Sequence, residues 1–241
     1  FCHNPHMRRL LPILCLTLAV LLGSTGMSES ADFQKGADAF NRRDYATALR
    51  EWKSFAEQGD ELAQFFMGAM YDEGLGVPQN YKTAVKWYRL AAEQGHADAQ
   101  NNLGSMYGKG RGVSQDDKNA IRWFSRSAKQ GFAPAQYNLG MRYKIGYGVP
   151  KDFKTAIKWF NLSAEQGDAF AQNHLGSMYQ LGQGILQDYT RAHMWFNIAS
   201  SGGHKNARNN RIKIEKIMPP TQIETAQRLA NKCVQNNYKG C

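Results

Sequence analysis

The sequence is short of the residues from which most active sites are assembled. Cysteine occurs four times in 241 residues, at positions 2, 15, 233 and 241. No two of them form a C-x-x-C pair, which removes the usual dithiol redox and zinc-ribbon motifs. His96, His174, His193 and His204 are scattered, without an i, i+4 pair or an H-E-x-x-H motif, so no metal site is implied. No serine is followed three residues later by lysine, which leaves a Ser-x-x-Lys hydrolase unsupported. The Gly-x-Gly pairs carry no following Lys-Ser/Thr and do not read as phosphate loops. No apolar run reaches the roughly 20 residues of a membrane-spanning helix. Acidic residues are also scarce: 20 Asp+Glu face 30 Lys+Arg, a formal charge of +10. Such a balance suits nucleic acid, an anionic membrane surface or an acidic protein.

The longest apolar run, Leu10 to Leu22, follows the basic Met7-Arg8-Arg9 and precedes small residues Gly23 to Gly26. This is the pattern of a secretory signal peptide. Residues 1–30, including the six before Met7, are set aside on that reading, with cleavage after Gly26 or Ser30; an uncleaved anchor competes. Cys15 lacks the small residues of a lipoprotein site. The expected location is the periplasm or the exterior, within or beyond a bacterial envelope, and export fits poorly with nucleic acid as partner. Cys233 and Cys241 then remain as an isolated pair. In an oxidising compartment they are expected to form a disulfide across Val234–Gly240. A metal or redox pair competes, but no histidine lies near.

What the sequence has in abundance is internal repetition. Gln64, Gln100, Gln136 and Gln172 are each 36 apart, and so are Gly68, Gly104, Gly140 and Gly176. The same spacing holds for Tyr71/107/143/179, Gly74/110/146/182, Gly76/112/148/184, Trp87/123/159/195 and Gly95/131/167/203, without a gap. Each unit reads as two helices. Ala99, Leu103, Met106 and Tyr107 fall on one face of the first, and small Gly104 lets a neighbouring helix approach closely. Gly-x-Gly ends that helix. Asn80, Asp116, Asp152 and Asp188 suit N-caps of the second, and Gly95 suits its left-handed end. Trp159-Phe160 and similar pairs are core at this spacing. The acidic residues Asp116-Asp117, Glu57, Glu93 and Glu165 read as caps and solvated ends rather than acid/base pairs.

This places four full units at 61–96, 97–132, 133–168 and 169–204, preceded by a partial unit over 31–60 in which Asn41-Arg42-Arg43 replaces Gly-x-Gly. Residues 205–241 form capping helices. Pro219-Pro220 break the chain, and Thr221 caps a last helix with Ile223, Ala226, Leu229 and Ala230 inward. The expected fold is all-α, a right-handed αα-superhelical solenoid.

The pattern A-x-A-Q-x-x-L-G-x-M-Y-x-x-G-x-G-V-x-x-D-Y-x-x-A-x-x-W-Y-x-x-A-A-E-Q-G resembles the Sel-one-like repeat, a relative of the tetratricopeptide repeat, over residues 33–204. Asp117, Arg142 and Ile185 depart from it. The resemblance implies a non-enzymatic scaffold that holds a protein or peptide in a concave groove, without cofactor or small-molecule substrate. By likeness to tetratricopeptide repeats, the ligand-facing positions are Phe65, Asn101, Tyr137 and Asn173; Ala69, Ser105, Met141 and Ser177; and Asp72, Lys144 and Gln180. An alternative partner, an anionic surface polymer or acidic protein, would meet the basic cluster Lys205, Arg208, Arg211, Lys213 and Lys216. An enzyme with an unrecognised site is the remaining alternative.

Overall fold

The computed structural model describes residues 26–241, with side chains from residue 33 onward. Residues 1–25, most of the segment read from the sequence as a signal peptide, lie outside the described residues. Twelve helices and no strand are found among the described residues. They are α1 (Gly26–Asn41), α2 (Tyr45–Glu57), α3 (Glu61–Glu73), α4 (Tyr81–Gln94), α5 (Ala97–Lys109), α6 (Asp117–Lys129), α7 (Ala133–Ile145), α8 (Phe153–Ala164), α9 (Ala169–Leu181), α10 (Tyr189–Ser201), α11 (Lys205–Glu215) and α12 (Pro220–Gln235). The fold class is the expected one, all-α and built of helix pairs that recur with the 36-residue unit.

Two compact units divide the described chain: residues up to 99 with 111–113, and residues 100–110 with 114–241. In the first, Phe66 and Trp52 stack with ring centroids 4.4 Å apart, beside the buried Met67, Met70 and Tyr88. In the second, one continuous core runs from Ala156 and Phe160 through Leu175, Met178, Trp195 and Phe196 to Ile214, Ala230 and Cys233.

The helix boundaries follow from capping. Asn80, Asp116, Asp152 and Asp188 each accept the backbone N–H three residues on, as their spacing predicts. Gly74, Gly146 and Gly182 end the first helices in the left-handed region. Gly148 also has positive φ (76°), and a Cβ there would lie 2.6 Å from the Asp117 carbonyl oxygen. Both the turn and the close packing therefore demand glycine.

The helix-A glycine has one specific partner. A Cβ on Gly140 would meet the Phe160 ring at 2.8 Å, and Gly68, Gly104 and Gly176 meet Tyr88, Phe124 and Phe196 in the same way. The deepest aromatic of each unit is therefore the one after the tryptophan; Trp87 and Trp159 are only half-buried. Gln64, Gln100, Gln136 and Gln172 are buried and satisfied. Gln136 donates to the Ala128 carbonyl (3.3 Å) and accepts from Gln166 Nε2 (2.9 Å).

The partial first unit makes the same glycine–aromatic contact, Gly36 on Trp52, through a turn four residues shorter. Arg43 supplies the left-handed residue there (φ 65°). One cap differs from expectation. The last helix starts at Pro220 with Pro219 as its N-cap, not at Thr221, because proline's fixed φ and missing N–H suit a first helical position. Ala226 and Ala230 are buried as expected, with Ile223 and Leu229 packed against the core.

Candidate interaction face

The groove positions divide sharply by burial. Phe65 (2% exposed) and Ala69 (5%) lie inside the first unit, where Phe65 stacks on His96 at 4.7 Å. Asp72 accepts the Tyr88 hydroxyl (3.4 Å). In the second unit, Asn101 (6%) accepts from Asn138 Nδ2 (2.9 Å), and Asn173 (9%) accepts from Asn210 Nδ2 (3.1 Å). Phe65, Ala69, Asn101 and Asn173 are thus buried within the protein rather than presented on its surface. The physical reason is visible in the spacing. In the second unit the side chain at this position meets the residue 37 further on, in the following repeat for Asn101 and in the capping helix α11 for Asn173, which occupies its Oδ1.

Tyr137 follows the same rule with a different outcome. Its partner 37 residues on is His174, which offers a ring rather than an amide. Tyr137, Met141 and Lys144 sit at i, i+4 and i+7 of α7, one face of the helix, and all three are half-buried. Lys144 Nζ lies 3.2 Å from His174 Nδ1, and the Tyr137 hydroxyl lies 3.4 Å from His174 Nε2. An ammonium has only donors, so Nδ1 accepts and the ring proton sits on Nε2, facing Tyr137. Burial, then the Lys144 and His204 charges, lowers the His174 pKa to about 4 and keeps the ring neutral. Burial, then Lys151, lowers the Lys144 pKa; burial, then Asp168, raises that of Tyr137.

Around this trio, Phe170 is half exposed and stands 6.0 Å from Tyr137, with its other side against His204 (4.8 Å). His204 and His96 are caps: each accepts a backbone N–H through Nδ1, from Ala207 and Ala99. Ser105, Ser177 and Gln180 are half-buried, and Ser177 donates to its own helix at the Asn173 carbonyl. His174, Phe170 and Asn138 were missing from the sequence-derived set. The position one residue after the ligand-facing row would have supplied both His174 and Asn138.

The basic cluster is confined to fewer residues than expected. Lys205, Arg208 and Lys213 are exposed on α11, and Lys216 is exposed at its C-cap. Arg211 is corrected out of the cluster: it donates to Asn197 Oδ1 (2.6 Å) and pairs with Glu215 (3.4 Å). Glu215 turns inward as well, onto the fully buried His193 (2.9 Å). The one carboxylate of α11 is thereby spent on the core. Cys233 and Cys241 are placed for a disulfide, with Cα atoms 5.5 Å apart.

The repeat profile and the solved structures agree with this architecture. The Sel1 repeat profile matches residues 62–96, 97–132, 133–168 and 169–204. The chain is similar to c5321, a protective antigen of uropathogenic Escherichia coli with an SLR fold: 33% identity, 87% of this chain and 47% of that one, TM-score 0.80. The chain thus spans about half the length of that antigen. It is also similar to a Sel1 repeat protein from Oxalobacter formigenes, with 32% identity over 85% of this chain and 84% of that one, TM-score 0.74. A sel1 repeat protein from Klebsiella pneumoniae shares the fold at 22% identity, with 78% of this chain and 93% of that one covered and a TM-score of 0.51. No curated protein matches the chain. Four contiguous repeats, each with its buried glutamine, its glycine–aromatic contact and its capped second helix, make this chain a member of the Sel1 repeat family.

Proposed function

We propose that this chain is an exported, non-enzymatic interaction module that holds a peptide or protein segment on the α7–α9 face of its second unit. Sel1 repeat proteins are generally protein-interaction scaffolds, and the family is typically non-enzymatic. The observation that carries the reading is the contrast within one row of the repeat. Asn101 is closed off by the next repeat and Asn173 by α11, whereas Tyr137, Met141, Lys144, His174 and Phe170 remain accessible and do not recur. Residues that neither recur nor close on a neighbour are free to specify a partner.

A photo-crosslinking amino acid at Phe170 tests this in the native cell, with the same substitution at exposed Lys158 on α8 as control. Protein adducts from position 170 and none from 158 are expected. Equal labelling from both positions, or none from 170, overturns the reading. Export is tested separately by fractionation: a C-terminally tagged full-length chain should appear in the periplasm or medium, and retention in the cytoplasm removes that part.

A second reading rests on α11. With Glu215 turned inward, Lys205, Arg208, Lys213 and Lys216 present an un-neutralised stripe that suits an anionic polymer or acidic protein. Its binding would weaken steeply with salt, and reversing Lys205 and Arg208 would abolish it.

A further inference from the structure

Lys144 is a half-buried cation without a carboxylate partner: Asp168, the carboxylate that acts on neighbouring Tyr137, is the N-cap of α9. Among the described residues no carboxylate reaches salt-bridge distance of Nζ. Its hydrogen-bond partner is the His174 imidazole (3.2 Å), and the charge that acts on it is that of another cation, Lys151. Holding an ammonium partly out of water next to a second cation is unfavourable. The repeat does not require it: the same position is Asp72, Gly108 and Gln180 in the other three units.

The ammonium is nonetheless held in a defined place. His174 is fixed by stacking on Phe160 (5.3 Å) and by the Tyr137 hydroxyl. One Lys144 N–H is used on Nδ1, and the others remain for a ligand. We infer that Lys144 is a carboxylate-binding residue of the α7–α9 face, and that the segment bound there carries an acidic group on Lys144 and an apolar group against Met141 and Phe170. His174 is a positioning residue that fixes the ammonium. This rests on the reading of that face as a polypeptide-binding surface. A carboxylate fits better than a phosphate, because one ammonium among neutral donors matches a single negative charge. The second unit has the complementary charge, with 19 of the 30 Lys+Arg and only 8 of the 20 Asp+Glu.

The probe is a solution library of random dodecapeptides with free C termini, selected on the full chain. Selected peptides are resynthesised as C-terminal amides and with each Asp or Glu changed to Asn or Gln. They are then titrated against wild type, Lys144→Gln, Lys144→Arg and Phe170→Ala, with circular dichroism confirming the fold of each variant. Lys144→Gln should weaken binding at least about tenfold while Lys144→Arg retains most of it. Removing the peptide's acid should cost as much in wild type and nothing further in Lys144→Gln. The amide series separates a terminal carboxylate from an acidic side chain. Peptides that lose affinity with Phe170→Ala but ignore Lys144→Gln overturn the carboxylate site and leave the peptide face standing. Peptides insensitive to both variants, or no selected peptides at all, overturn both.

Discussion

Three departures from the repeat act as one group. Arg142 stands where other units have methionine, and its guanidinium pairs with Asp117, which stands where others have an aromatic residue. The same guanidinium lies across Gly108, where a Cβ would come within 2.1 Å of Nη2. Each residue looks like an isolated lapse in the sequence; in space each accommodates the others. Arg142→Met and Asp117→Asn should each lower stability, and the double variant should fall short of their sum by about 1 kcal/mol in a urea-denaturation cycle. Strict additivity would show that the pair is decorative. Glycine offers the contrasting case. Gly140→Ala drives a methyl into the fixed Phe160 ring and should cost about 1–3 kcal/mol. Gly108→Ala meets only the mobile end of Arg142 and should cost less, acting mainly by separating Arg142 from Asp117.

At the scale of the helix, capping and inter-helix contact carry separate parts of the stability. Asn80→Ala removes the acceptor for the Thr83 N–H and should cost about 1 kcal/mol by thermal or urea denaturation. The α7–α9 contact responds instead to pH. The folded pKa of His174 is depressed from 6.5 to about 4, so the folded state binds fewer protons than the unfolded chain between those values. This contribution is fully present above about pH 6.5 and is lost progressively as pH falls toward 4. Stability measured from pH 7 to 4 should therefore decline, and His174→Gln should make that decline shallower, leaving the shares of His96 and His204, whose pKa values burial also lowers. An unchanged slope in the variant would place the pH response elsewhere. Thr155's hydroxyl and N–H hold the Asp152 carboxyl below its usual range, so this cap fails only at lower pH and does not confuse the test. Helices, caps and the 36-residue register were legible because each rests on local chemistry or exact repetition. The closure of Asn101 and Asn173 was not, because it depends on a residue 37 positions away that the repeat pattern does not constrain. The inward turn of Glu215 was hidden for the same reason, since its partner His193 is 22 residues back and on another helix.

Across the whole molecule, the positive charge is concentrated rather than spread. Among the described residues the first unit has 9 Lys+Arg against 12 Asp+Glu and the second 19 against 8, so the positive surplus belongs to the second, which also contains the candidate face and α11. On the proposed function, that surplus would speed encounter with an acidic segment in a salt-sensitive way. The second unit also closes its own core. A repeat array must end on a helix that is apolar inside and polar outside. Here α11, α12 and the connector between them lay Ala207, Ile214, Met218, Ala226, Ala230 and Cys233 on the inner side, and Ile214, Met218, Ala230 and Cys233 join the cluster that holds Trp195 and Phe196 of α10. A chain ending at 204 would expose that side of α10, including the fully buried His193. It should lose its cooperative thermal transition or become insoluble, whereas Cys233→Ser with Cys241→Ser should lower stability by only about 2.5 kcal/mol, the loop-closure value for so short a ring. Circular-dichroism melts of the three chains, with and without reductant, separate the two contributions. If the truncated chain melts as the intact one does, α11 and α12 are an appendage and α10 is already a sufficient end. If reductant alone removes the transition, the disulfide rather than the apolar inner face of the cap holds the unit closed.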